Sequence, residues 1–109
     1  MSFLLKFFSS RKPDIRGLLK DGAIVVDVRS TGEYSSGHAT ESRNIPLASL
    51  QSKIASLKKQ RNVIITCCAS GMRSGRAAKM LRKAGVEAHN GGAWQTVERL
   101  QKPVDEPTR

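Results

Sequence analysis

Acidic residues are missing from the middle of this chain: none stands between Glu41 and Glu87. That span holds ten of the 19 Lys and Arg residues, from Arg43 to Lys83, and the other nine balance the nine acids, so the formal net charge of +10 belongs to the middle. A field of that sign concentrates small anions and attracts acidic surfaces. Aromatic residues are also scarce, 5% of 109, and all three Phe (Phe3, Phe7, Phe8) come before residue 9. With no aromatic side chain inside the basic stretch, bases have no stacking platform, and nucleic acid is not an expected partner. No apolar run reaches the roughly 20 residues that a membrane-spanning helix needs. The opening Met1–Phe8 is too short and too interrupted by Lys6 for a secretory signal. No internal repeat is visible. A length of 109 residues with 39% hydrophobic content suits one compact domain and leaves no room for two.

Cysteine is limited to the adjacent pair Cys67 and Cys68. Neighbours on an extended chain point in opposite directions, so a bridge between them would be strained. No disulfide framework is expected, and a reduced, cytoplasmic setting fits. Neither His38 nor His89 stands at metal-ligand spacing from a Cys, so neither a metal nor another cofactor is expected.

What is present is an alternation of strand and helix patterns. Ala23–Val28 and Val63–Cys67 are apolar runs of the kind found in strands buried on both faces. Pro13–Asp21 reads as a short helix with Ile15, Leu18 and Leu19 inward, Arg29–His38 as a loop with one helical turn, and Asn44–Leu47 as a brief extended piece. Leu47, Leu50, Ile54 and Leu57 recur at helical spacing and end in a basic cluster, which suits the negative end of a helix. Ala77, Met80, Leu81 and Ala84 mark another helix, closed by Gly85. Val86–His89 is short and extended, Gly91-Gly92 a turn, and Trp94–Leu100 a last helix. The expected fold class is α/β, a single domain over residues 13–100 with a mostly parallel central sheet and helices on both faces. Residues 1–12 form an apolar and basic segment with its linker, with Phe3, Leu4, Phe7 and Phe8 on one side of a helical turn; residues 101–109 form a loose tail.

The chemistry gathers in Thr66-Cys-Cys-Ala-Ser-Gly-Met-Arg-Ser74, between a buried strand and a helix start. That is the side of an open α/β sheet where ligands bind, and amides freed at the helix end and in the Gly71 turn can converge on an anion. A thiolate there is stabilised by the same amides and by Arg73, with Arg76 on the next turn. Such settings lower a thiol's pKa from about 8.5 toward 7, which makes a nucleophile. Ser70 and Ser74 offer hydroxyls for a bound anion or a helix cap, with capping expected of Ser74.

Cys68-Ala-Ser-Gly-Met-Arg73 resembles the active-site loop of the single-domain rhodanese-like sulfurtransferases, with Gly three positions and Arg five positions after the Cys. The resemblance runs from Asp14 to about Leu100 and includes Val26-Asp-Val-Arg29, Glu33-Tyr34, Gly37-His38, Asn44-Ile-Pro46, and Gly91-Gly92 followed by Trp94. It implies a rhodanese-like domain whose Cys68 takes sulfane sulfur from a donor such as thiosulfate and passes it, as a persulfide, to cyanide or a thiol. It implies catalysis by Cys68, substrate binding by the loop Ala69, Ser70, Gly71, Met72 and Arg73, and support from Asp27, Arg29 and Arg76, with Glu33 a candidate partner for Arg29. The implied partners are a small sulfur-containing anion as donor, a thiol or cyanide as acceptor, and a sulfur-relay protein; the chain is expected to act as a monomer. Three departures stand out: Ala39 where the family has a bulky apolar residue, Glu41 where it has Gly, and Ala69 where good thiosulfate enzymes often carry a basic residue.

Cys67 stands six positions before Arg73, the Cys-to-Arg spacing of phosphatases. Counted from Cys67, however, Gly71 falls one position late, and Thr66 replaces the His that usually precedes that Cys. Counting from Cys68 satisfies Gly and Arg together, and Cys67 continues the apolar run as a packed residue. A Cys-dependent phosphatase or arsenate reductase and a non-catalytic binding module of the same fold are the alternative functions.

Overall fold

The computed structural model describes residues 12–104; the Phe3–Phe8 segment and the end of the tail lie outside the described residues. The two apolar runs become the central strands β1 (Ile24–Asp27) and β3 (Ile64–Cys68), paired in parallel with Ile24 opposite Ile64 and Asp27 opposite Cys67. β2 (Arg43–Asn44) flanks β1 and β4 (Ala88–Ala93) flanks β3, so the order is β2-β1-β3-β4 with every pair parallel. Parallel neighbours require crossovers, and helices supply them. α1 (Ile15–Lys20) precedes β1, α2 (Thr31–Ser36) links β1 to β2, and α3 (Leu47–Leu50) with α4 (Ile54–Gln60) links β2 to β3. α5 (Met72–Lys83) links β3 to β4, and α6 (Trp94–Gln101) follows.

The pleat sorts the core into two layers. Val26, Val28, Ile64 and Cys68 pack with Leu50, Ile54 and Leu57 of α3 and α4 and with Ala77, Ala78 and Leu81 of α5. Val25, Ile65 and Cys67 pack on the other face with Val97 of α6 and with Ile15, Leu18 and Leu19 of α1. Each fully buried Ile or Leu among them contributes roughly 1.5–3 kcal/mol. This is the α/β architecture that the alternating pattern implies, with helices on both faces.

Several local expectations change. Arg29–His38 contains a real helix, α2, because Ser30 and Glu33 close a capping box: the Ser30 Oγ accepts from Glu33 N–H at 3.2 Å and the Glu33 carboxylate accepts from Ser30 N–H at 3.1 Å. The helix expected from Leu47 onward tightens into a 3₁₀ turn at Gln51–Lys53 between α3 and α4. Gly85 does close α5, with φ +91 and Val86 N–H reaching back to Leu81 O at 2.9 Å. Gly91-Gly92 is not a free turn but lies within β4, beside an irregular step in the β3–β4 ladder. A Cβ on Gly91 would meet Val97 Cγ2 at 2.6 Å and Ile65 Cγ2 at 2.8 Å, so close packing demands the glycine there. Gln101, assigned to the tail by its sequence, instead closes α6 and donates to Thr40 O at 2.7 Å. Glu41, standing where the resembled family has Gly, adopts φ +57, the left-handed conformation that a glycine enters without strain.

Candidate active site

β3 ends at Cys68, the chain turns through Ala69, Ser70 and Gly71, and α5 begins at Met72. Gly71 has φ +104 and lies against Gly92, with only 3.4 Å between a would-be Cβ and Gly92 Cα, so this turn favours glycine. The turn aims donors back at one atom. Gly71 N–H lies 3.1 Å from Cys68 Sγ, Ser74 N–H 3.4 Å and Ser74 O–H 3.3 Å. Cys68 is 1% exposed, and burial alone pushes its thiol up. The Ser74 hydroxyl and the N–H groups of Ser74, Gly71 and Ser70 outweigh that burial and bring the pKa down to about 7.

Cys67 meets the opposite environment. It is fully buried in the layer of Val25, Ile65 and Val97. Burial first, then the negative charge of Asp27, push its thiol up to about 12, against a lowering by Arg29; Cys68 adds the smallest rise. Burial thus disfavours a thiolate at Cys67 at neutral pH, which weighs against a phosphatase built on it.

The Arg73 guanidinium, expected beside the thiolate, is engaged by a carboxylate instead, and the hydrogen bonds to Sγ come from Gly71 and Ser74. Arg73 grips the Glu33 carboxylate at 2.8 and 3.1 Å, tying α5 to α2. The hydrogen bonds from Arg73, with those from Ser30, hold Glu33 down to about 2. This corrects the pairing expected of Glu33: Arg29 reaches only its backbone carbonyl, at 3.3 Å. Arg29 is instead bound to Asp27, Nη2 to Oδ2 at 2.7 Å with both side chains buried, and also donates to Gly37 O at 2.7 Å. Its guanidinium lies 5.1 Å from the Trp94 ring centroid. Asp27 and Arg29 thus tie the end of β1 to the Glu33–Gly37 segment. Arg76 is exposed on α5 and makes no side-chain hydrogen bond or ion pair among the described residues. Ala69, Ser70 and Met72 are exposed on the rim, Met72 at 76%.

Ser74 is not the helix cap expected from its position. Gly71 occupies the cap site, and the Ser74 hydroxyl turns inward to Cys68 Sγ and, at 2.7 Å, to Asn90 Oδ1. Asn90 had no signal of its own in the sequence beyond standing next to Gly91-Gly92. The histidines lie elsewhere: His38 stacks on Tyr34 with ring centroids 3.7 Å apart, and His89 pairs with Glu87 at 3.0 Å. Among the described residues no group of three His, Cys, Asp or Glu side chains could hold a metal ion. No described helix is long and apolar enough to cross a membrane. Chemically, the loop offers a readily ionised thiol inside a ring of donors, suited to nucleophilic attack on an anion and to holding an anionic product.

The chain matches the family model of the rhodanese-like domain over residues 12–95. It is 40% identical over 69 residues to the uncharacterized protein YqhL of Bacillus subtilis, covering 62% of this chain and 54% of that one. A tRNA sulfurtransferase of Thermoplasma acidophilum is 26% identical over 92 residues, covering 84% of this chain and 18% of that protein. The chain therefore spans about half or less of the length of these relatives. A solved E. coli rhodanese with anions superposes with a TM-score of 0.63 at 26% identity, covering 69% of this chain and 91% of that one.

Proposed function

The chain belongs to the rhodanese-like domain family, and on that premise we propose that it is a sulfurtransferase carrying sulfane sulfur on Cys68. The observation that carries this reading is the convergence of Gly71 N–H, Ser74 N–H and Ser74 O–H on one sulfur whose pKa lies at about 7. Similarity to part of a tRNA sulfurtransferase supports the same class of chemistry.

The reaction has two halves. The Cys68 thiolate attacks the outer sulfur of thiosulfate; a Cys68 S–S bond forms as the donor's S–S bond breaks, and sulfite leaves with the electron pair. The outer sulfur of the persulfide, now carrying the charge, rests among the amides of Ala69–Arg73. Cyanide or an acceptor thiolate then attacks that outer sulfur, and Cys68 leaves as a thiolate. Its low pKa makes it a good leaving group as well as an available nucleophile. Arg73, held by Glu33, contributes mainly by keeping the loop in shape, and Asp27 and Arg29 support the Glu33–Gly37 segment from β1. The rim carries no basic residue at Ala69, which weakens the hold on a thiosulfate anion. The exposed Arg76, Lys79 and Lys83 of α5 provide the surface for an acidic sulfur-relay partner in a reduced, cytoplasmic setting.

Intact-protein mass spectrometry after brief thiosulfate exposure tests this on wild type, Cys67→Ala and Cys68→Ala. The expected result is a gain of one sulfur atom, reversed by cyanide and lost only with Cys68→Ala. No gain from thiosulfate or from a small persulfide donor would overturn it in favour of a binding module.

A further inference from the structure

The Ser74 hydroxyl has one proton and two claimants. Its Oγ lies 2.7 Å from Asn90 Oδ1 and 3.3 Å from Cys68 Sγ. The backbone dictates how the Asn90 amide faces: Oδ1 accepts from Gly92 N–H at 2.9 Å, and Nδ2 donates to Gly71 O at 3.0 Å. A flipped amide would set its own N–H groups against Gly92 N–H and its oxygen against the Gly71 carbonyl. Oδ1 therefore meets Ser74 as an acceptor, and the 2.7 Å contact needs the serine proton. With the proton there, Ser74 Oγ presents only lone pairs to the sulfur, which suits a thiol or a divalent sulfur and not a thiolate. When the sulfur is anionic the same proton must turn to Sγ, leaving Asn90 Oδ1 with Gly92 N–H alone.

We propose, resting on the sulfurtransferase reading, that Asn90 is a positioning residue that holds the Ser74 hydroxyl proton while Cys68 Sγ is uncharged and yields it when Sγ is anionic. Sγ is anionic before attack on the donor, uncharged within the persulfide, and anionic again when the acceptor removes the outer sulfur. The hydroxyl turns accordingly, and no proton leaves Ser74. Asn90 thereby matches the donors around the sulfur to its charge at each stage. The same amide also pins the loop through Gly71 O, a second and purely structural role that the test must separate.

The other titratable and charged groups around Cys68 are Arg73 on α5, tied to Glu33 of α2, Cys67 beside it on β3, and the Asp27–Arg29 pair at the end of β1. None of these is altered by the substitutions below; Asn90→Asp adds one carboxylate, which raises the Cys68 midpoint by itself, so the Ser74→Ala shift is read as a difference within each Asn90 background. Asn90 is exposed, so replacing it opens no core cavity, and Ser74→Ala removes a single oxygen.

Alkylation of Cys68 by iodoacetamide, located by mass spectrometry, is followed against pH in wild type, Ser74→Ala, Asn90→Ala and the double variant. In wild type the hydroxyl is shared, so Ser74→Ala raises the alkylation midpoint modestly. With Asn90→Ala the hydroxyl belongs to the sulfur, and Ser74→Ala raises the midpoint by about half a pH unit more, a roughly threefold larger change in thiolate fraction. Asn90→Asp keeps an acceptor at Oδ1 but loses the Gly71 clamp, and the smaller wild-type shift returns. An equal Ser74→Ala shift with Asn90 and with Ala at that position would overturn the proposal. So would Asn90→Asp behaving like Asn90→Ala, which would leave only the clamp. Sulfur loading is measured on the same proteins. Its absence in wild type would overturn the sulfurtransferase premise, and with it the catalytic role of the turning hydroxyl, whatever the alkylation shifts.

Discussion

Cys67 and Cys68 share one strand end, yet the pleat turns Cys67 into the layer of Val25, Ile65 and Val97 and Cys68 toward α5, where two backbone N–H groups and a serine hydroxyl meet it. Both residues are almost wholly shielded from solvent. Shielding alone therefore does not set a thiol's character. Burial raises both pKa values; only at Cys68 do hydrogen-bond donors outweigh it, so one thiol stands near 12 and the other near 7. A one-residue step along a strand exchanges an inert packing group for a reactive one.

The largest test of that contrast exchanges the residues themselves. Cys68→Ala should abolish sulfur loading outright. Cys67→Ala should retain most of it while costing roughly 1–2 kcal/mol in urea denaturation from the cavity left behind. Loading lost with Cys67→Ala in a protein of unchanged fold would break the assignment.

Thiol ionisation sharpens the contrast further. Alkylation of Cys68 should rise with pH through about 7 and then level off, while Cys67 stays silent until far more alkaline conditions. The two also pull stability in opposite directions. The Cys68 pKa is lower in the fold than in the unfolded chain, so its contribution is present above the unfolded thiol range, about 8.5, and is lost as pH falls through about 7. The Cys67 pKa is higher in the fold, so its contribution is present below that range and is lost as pH rises toward about 12. Chemical denaturation across pH with each Cys replaced in turn would show the two slopes.

On the packed side, Gly91→Ala should destabilise by about 1–3 kcal/mol, since the added methyl falls 2.6 Å from Val97 Cγ2 and 3.0 Å from Thr66 O. A thermal melt unchanged from wild type would mean that this face is looser than its contacts imply. On the reactive side, Arg73→Ala should slow sulfur loading by about tenfold and Arg76→Ala by less than about twofold, because only Arg73 is tied to Glu33. Equal, mild effects would remove loop geometry as the reason for Arg73.

Much of this was legible along the chain. The runs around Val25 and Ile65 and the glycine stop at Gly85 appear where hydrophobic periodicity and capping place them, and the helical spacing from Leu47 to Leu57 does so apart from its 3₁₀ turn. Thr31–Ser36 has little apolar periodicity, so the sequence suggests a loop with one helical turn where α2 forms; the Ser30–Glu33 capping box is the local signal of the fuller helix. The site loop from Cys68 to Arg73 was visible because its spacing is contiguous. Asn90 was not, because it lies 16 residues beyond Ser74 and meets it only through the β3–β4 pairing.

Composition, period and motif sufficed for a parallel α/β domain and for the loop that bears the two cysteines, since these depend on contacts between residues near in sequence and on the alternation of side chains along a strand. The partners were decided by folding. That Arg73 is claimed by Glu33, 40 positions away, that Ser74 faces the sulfur rather than capping its helix, and that Asn90 competes for its proton all depend on how α2, α5 and β4 meet. Hydrogen bonds act over about 3 Å, and only packing brings such distant positions that close.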